Sequence, residues 1–411
     1  VPIDTRELRV LGVGPGRLLY VASRHQGGRF AIYVYDLEEG RFLPASFSDP
    51  RFDVAGPLVV DAAGVPLGVA YVGDFERVHW FEPDWQQRQR RIDAARPDAQ
   101  NVITSWDRAH KRFVVRSESD RDAPSWWLFE EPGGALRHLT RERPDLPPEA
   151  LAESRVVTVT GPDDLSLPGI LTRPSGSEGR RLPFLVELRG GGWPRARRGF
   201  DAGLQFLVSR GWGVLRVDGR GAEGHGLAHE RAADGAWARV APADLTAAAS
   251  WLVAEGHADA DRLCAMGRGY GGYAALMAVL EAPERFRCAV SLAGISDPEA
   301  FLAHRSRLSD APLWRRRLGD DPGSAPLSRA RKLEVPLFLA HGELDLRVPP
   351  AQTFDLVDAL RGFGRPLEVL RFPHEGHAFL REESRLELYG ELEKFLAKFA
   401  QAPDPEEDEG S

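Results

Sequence analysis

The stretch CAMGRGYGGYAALMAVL, residues 264–280, carries the residue types and spacing best suited to chemistry. An apolar run of strand length enters a glycine turn, Gly267-Arg268-Gly269-Tyr270-Gly271-Gly272, and leaves as an apolar run of helical length. Two chemistries use that shape. Gly267, Gly269 and Gly272 satisfy G-x-G-x-x-G, in which amides at a helix N-terminus cradle a pyrophosphate, so a dinucleotide-binding module is one expectation. Against it, the next apolar run, CAVSLAG, ends in small residues where an acidic side chain would hold a ribose. The other chemistry is the nucleophile elbow, G-x-S-x-G, a sharp turn that lifts one side chain above a sheet. Gly267 and Gly271 are then the flanking glycines, and the central position is Gly269.

An elbow needs partners that follow it in the order acid, then histidine, each just past the end of a strand. VPLFLAHG runs into Glu343-Leu344-Asp345, and PLEVLRF runs into Pro373-His374-Glu375-Gly376-His377. The first run supplies the candidate acids and the second the candidate histidines. Upstream, PFLVELR runs into Arg189-Gly190-Gly191-Gly192, a glycine loop suited to offering backbone amides to an oxyanion, with the Tyr270 amide as second donor. His374-Glu375-Gly376-His377 falls one residue short of the helical H-E-x-x-H zinc motif, so no metal is expected, and no cofactor. Arg195, Arg197 and Arg198 would attract an anionic end group or form a solvated basic edge, the latter being favoured, as for Arg315, Arg316 and Arg317. His225, His229 and His341 are expected to be structural.

The elements that must hold these residues fall into three regions. Residues 1–150 alternate short β-rich runs (RLLYVAS, RFAIYVYDLEEGRF, RVHWFEPD, KRFVVRSES, SWWLFEEPGG) with Gly, Asp and Pro turns, loosely repeating every 40 to 50 residues, as propeller blades do. About three blades fit, an incomplete propeller whose open edge needs a protein partner, a second copy or the next domain to cover it. Residues 151–400 alternate strands with helices, which implies an α/β fold with a mostly parallel sheet covered on both faces. PADLTAAASWLVAEG predicts a helix with Pro242 in its first turn, ending at Gly256. Leu388, Leu392, Phe395, Leu396 and Phe399 mark one buried face of a last helix. The acidic residues 401–411 are expected to be a disordered tail.

Composition narrows the partners. The net charge is −8, and Asp404, Glu406, Glu407, Asp408 and Glu409 account for five of the negatives, which leaves a body near −3 and argues against nucleic acid. No run approaches 18 apolar residues, so no membrane is expected, and a soluble protein of the cytoplasm is favoured over a secreted one. The two cysteines, Cys264 and Cys288, are expected to be core thiols.

From about Pro148 to Phe399 the chain resembles the prolyl oligopeptidase family of serine peptidases, nearest its acylaminoacyl-peptidase-like branch. RGGGWPRARRGFDAGLQFLVSRGWGVLRVDGRGAEGHG is similar to that branch's HGGPWAR…GFD…QFLASRGYAVL…NFRGSTGYG, GRGYGGYAALM to G-x-S-Y-G-G-Y-A-A-L, HGELDLRVP to H-G-x-x-D-x-x-V-P, and FPHEGHAF to the histidine motif. The N-terminal 150 residues resemble only the last blades of that family's seven-bladed propeller. The resemblance implies an α/β-hydrolase domain, a catalytic set at residue 269, Asp345 and His377, oxyanion donors at Tyr270, Gly190 and Gly191, substrate contacts at Arg189 and Trp193, and a peptide or acyl-peptide ligand.

The pattern breaks at its centre. Gly269 stands where the family has its serine, and glycine has no side chain to attack a carbonyl. Loss of the serine alone costs about a millionfold in turnover in a well-studied triad, so a catalytically impaired homologue is expected. The HGGP histidine is replaced by Arg189, its proline by Gly192, and the RGS serine by Ala222. The alternatives are an active hydrolase, through water activated by His377 or a nucleophile from elsewhere, and the dinucleotide module.

Overall fold

A computed structural model describes residues 6–25, 27–189, 195–306, 308–318 and 325–400. The chain divides into two compact units. One comprises Val1–Glu153, Arg197–Asp201 and Glu223–Glu230; the other comprises Ser154–Ala196, Ala202–Ala222 and Arg231–Ser411. The expected acidic tail lies outside the described residues.

The first unit holds three antiparallel, propeller-like sheets of sequential strands: four strands within Leu8–Phe42, three within Leu58–Trp80 and four within Gln100–Arg141. It is not all β. Pro83–Ala95 is a helix, because Trp85, Arg88 and Ile92 recur at helical spacing and are buried together, with Pro83 opening the first turn. Two segments that come late in sequence are clasped by carboxylates of this unit. Asp120 accepts both Nε and Nη2 of Arg198, at 2.9 and 2.6 Å, and the Gly199 amide at 2.8 Å. Arg24, almost wholly buried, bridges Asp53 at 2.7 Å and Glu230 at 2.9 Å. Arg197 pairs with Glu76 at 3.4 Å. Arg198 is therefore held by a buried carboxylate, whereas Arg197 stays half-exposed beside Glu76.

The second unit is built on an eight-stranded sheet: β1 (Ser154–Thr160), β2 (Ser166–Thr172), β3 (Leu182–Arg189), β4 (Gly213–Asp218), β5 (Ala258–Arg268), β6 (Cys288–Leu292), β7 (Leu337–Gly342) and β8 (Leu367–Phe372). Their order is β1-β2-β4-β3-β5-β6-β7-β8, antiparallel in the two pairings that β2 makes and parallel elsewhere. Strands β6 and β7 are buried throughout, and β3 and the Leu263–Gly267 stretch of β5 nearly so, because both faces are covered. Leu388, Leu392, Phe395 and Leu396 form the buried stripe of the last helix, Glu382–Ala400.

Two expectations fail here for physical reasons. Helix α1 (Trp237–Ala254) begins before Pro242, which lies inside it. A proline there costs about 3 kcal/mol and leaves the carbonyl four residues back without its amide. Burial of Trp237, Val240 and Leu245, roughly 1.5–3 kcal/mol for each such side chain, outweighs that cost. The freed Ala238 carbonyl is taken by the Tyr273 hydroxyl at 3.3 Å. Cys264 and Cys288 are not thiols but a disulfide. They are register partners on β5 and β6 with Cα atoms 4.7 Å apart, a proximity created by a helical crossover that linear spacing conceals.

Candidate active site

Strand β5 ends in the elbow and helix α2 (Tyr270–Glu281) begins it anew in another direction. Gly269, the hinge between them, has φ 56° and ψ −113°, a left-handed conformation strained for any residue with a Cβ and free of that cost in glycine. Its amide donates to the Leu292 carbonyl at 2.9 Å, and its carbonyl accepts from Tyr273 at 3.1 Å. The flanking glycines are needed for contact. A Cβ on Gly267 would run into the Gly271 backbone, one on Gly271 would lie 2.6 Å from the Leu188 carbonyl of β3, and one on Gly272 would lie 2.6 Å from the Ser291 hydroxyl. These glycines let strand and helix approach closely.

Tyr270 sends its ring downward. It stacks on Trp237, centroids 4.1 Å apart, and Trp237 stacks on Tyr273 at 5.3 Å. Burial pushes the Tyr270 phenol well above its ordinary pKa, so the hydroxyl next to Gly269 in sequence stays protonated and is no substitute nucleophile. Below the same block, Arg220 grips the fully buried Asp244 through Nε at 2.8 Å and Nη2 at 2.6 Å. Arg317 is buried beside Trp314, its guanidinium 5.9 Å from the ring centroid, so it is not part of a solvated basic edge.

Asp345 follows β7, and His377 follows β8. His377 Nδ1 lies 2.7 Å from Asp345 Oδ2; a carboxylate only accepts, so Nδ1 carries the proton and Nε2 is left as the basic nitrogen. Asp345 Oδ1 accepts the Arg347 and Val348 amides at 2.8 and 3.0 Å. His341, the first residue of the HGELDLRVP motif, completes the cradle. Its Nε2, 3.0 Å from the Val348 carbonyl, must carry a proton and also lies 3.3 Å from Asp345 Oδ2, while Nδ1 accepts from Thr353 at 2.6 Å. Burial works to raise the Asp345 carboxyl, but the bonds from His341, His377 and Val348 outweigh it and hold the acid well below the usual carboxylate range.

The two loops are zipped together by Glu343 N to Phe372 O and Leu344 N to Glu375 O, both 2.9 Å. Glu375 is buried with its carboxylate on the Leu380 and Arg381 amides at 2.8 and 2.7 Å, so it braces the loop. His374 is exposed. Arg189 ends β3 and contacts Glu187 at 3.1 Å. Gly190, Gly191 and Trp193, the expected oxyanion and substrate positions, lie outside the described residues.

An eight-stranded sheet with a glycine elbow after its fifth strand and an acid–histidine pair after its seventh and eighth defines an α/β-hydrolase domain, here with propeller-like sheets before it. A profile of the prolyl oligopeptidase family matches residues 198–402. It is 28% identical over 408 aligned residues to dipeptidyl aminopeptidase BIII of Pseudoxanthomonas mexicana, covering 93% of this chain and 58% of the relative. Its fold is similar to that of a puromycin-hydrolyzing peptidase of Mycobacterium tuberculosis, with TM-score 0.78 and 25% identity, covering 94% of this chain and 60% of the other. The Pyrococcus horikoshii acylaminoacyl peptidase shares the fold at TM-score 0.69 and 21% identity, over 94% of this chain and 62% of that one. The chain thus spans about three-fifths of the length of these relatives. Among the described residues no helix is long and apolar enough to cross a membrane.

Proposed function

We propose that this chain is a serine-peptidase homologue that binds peptide or acyl-peptide ligands without forming an acyl-enzyme, because Gly269 occupies the nucleophile position. The observation that carries this is the backbone of Gly269 itself. It has the left-handed φ of an elbow centre and sits between glycines packed against strand and helix backbone, while Asp345 and His377 are paired past later strands in the expected order. The names of the relatives point to short aminoacyl, dipeptidyl or acylaminoacyl peptides as the ligand class. Arg189, Trp193 and the Gly190–Gly191 amides are the proposed ligand contacts. Calorimetric titration of such peptides, run beside turnover of acyl-nitroanilides, tests this: binding with negligible turnover is expected, and turnover rates typical of serine peptidases would refute it.

A second function is favoured by one observation, the fully cradled Asp345, whose carboxylate accepts the His377 Nδ1 proton and so turns Nε2 into the nitrogen able to accept one. Here His377 takes a proton from water, the hydroxide adds to a bound carbonyl, and collapse of the adduct breaks the acyl C–N or C–O bond as His377 returns the proton to the leaving amine or alcohol. Slow wild-type turnover abolished by His377→Ala would select this function, and turnover that survives that change would exclude it.

A further inference from the structure

We propose that Arg268 is a positioning residue that fixes the His377 loop to the elbow and so keeps the imidazole on Asp345. In the sheet order β5 and β8 are separated by β6 and β7, three strand spacings or about 14 Å, so no backbone ladder can tie the elbow to the loop after β8. A long side chain can. Arg268, the last residue of β5 and the neighbour of Gly269, donates Nη1 to the His377 carbonyl at 2.7 Å. Its guanidinium also lies 4.8 Å from the ring centroid of Phe379.

The loop needs such a tie at this point. Phe379 is a buried non-glycine residue at φ 51°, a conformation that costs roughly 1–2 kcal/mol and must be held by its surroundings. Glu375 holds the loop through the amides of Leu380 and Arg381. Arg268 holds it from the elbow side, and a planar guanidinium can bond a carbonyl and cover a ring at once, which a compact ammonium does less well. His377 therefore faces Asp345 with its main chain pinned rather than only its ring.

This inference rests on His377 occupying the base position, and its test does not require catalysis. The readout is the low-field proton NMR signal of His377 Nδ1–H, assigned by its disappearance in His377→Ala. In Arg268→Met, which keeps the stem and removes the donors, loss of a charge-assisted bond is expected to speed solvent exchange of this proton at least about tenfold or to erase its signal. Arg268→Lys should restore the signal in part. Should Arg268→Met not fold, Arg268→Leu takes its place with the same expectation. A folded Met or Leu variant, judged by near-ultraviolet circular dichroism, whose signal matches wild type would overturn the proposal, because a side chain that merely stabilises the domain would leave this proton unmoved. A Gly269→Ser variant that stays inert would count against the proposed function and leave this result standing.

Discussion

His377 Nδ1 and Asp345 Oδ2 lie 2.7 Å apart at the ends of two loops that are zipped together by backbone bonds. The carboxylate is saturated: two amides on one oxygen, and His377 with His341 on the other. An acid held this firmly is a large part of what keeps the two loops in register.

That carboxylate gives the domain a defined acid limb. The folded-state pKa of Asp345 is below its unfolded value, so its stabilisation is complete above about pH 3.9 and is lost as the pH falls from there toward the folded value. Urea midpoints measured from neutral pH downward should drop through this window. Asp345→Asn should cost roughly 2–3 kcal/mol at neutral pH and flatten the drop, leaving the smaller slope due to other carboxylates such as Glu375.

The disulfide is checked by counting thiols. Iodoacetamide added to unfolded, unreduced protein should leave Cys264 and Cys288 unmodified, and two adducts should appear only after reduction. Replacing both cysteines by alanine should cost about 2–4 kcal/mol. Two adducts without reduction would show that the pair is not joined.

Tyr273 and Pro242 should be energetically coupled although they belong to different helices. Tyr273→Phe removes the donor on the Ala238 carbonyl and should cost about 1 kcal/mol. In a Pro242→Ala background the restored amide can serve that carbonyl, so the same change should cost less, by an interaction energy of about 0.5 kcal/mol or more. Additive costs would mean that the hydroxyl does not satisfy the orphaned carbonyl.

Legibility in the sequence followed what is local. The strand runs that end just before Asp345 and His377, and the glycines that flank position 269, are patterns of a few residues, and the fold brings Asp345 and His377 into hydrogen-bond contact. What was hidden depends on neighbours distant in sequence. Cys264 meets Cys288 only because β5 and β6 are adjacent, and Arg198 meets Asp120 only because a late loop folds onto an early sheet. Helix α1 runs through Pro242 because tertiary burial outweighs a local rule. The Pro83–Ala95 helix was legible, since Trp85, Arg88 and Ile92 are spaced for one face, but it sits among strand-like runs that set the expectation of hairpins. His341 heads the HGELDLRVP motif, but that its ring braces Asp345 emerges only from the fold.

The central claim is tested most directly by intact-mass measurement after treatment with a fluorophosphonate, on the wild-type chain and on Gly269→Ser. The wild type should show no mass increase. Gly269→Ser should gain one adduct, lost again in Gly269→Ser/His377→Ala, while losing about 1–3 kcal/mol of stability because a side chain now sits at φ 56°. A stoichiometric adduct on the wild-type protein would contradict the account, since it would require a nucleophile that Gly269 cannot supply.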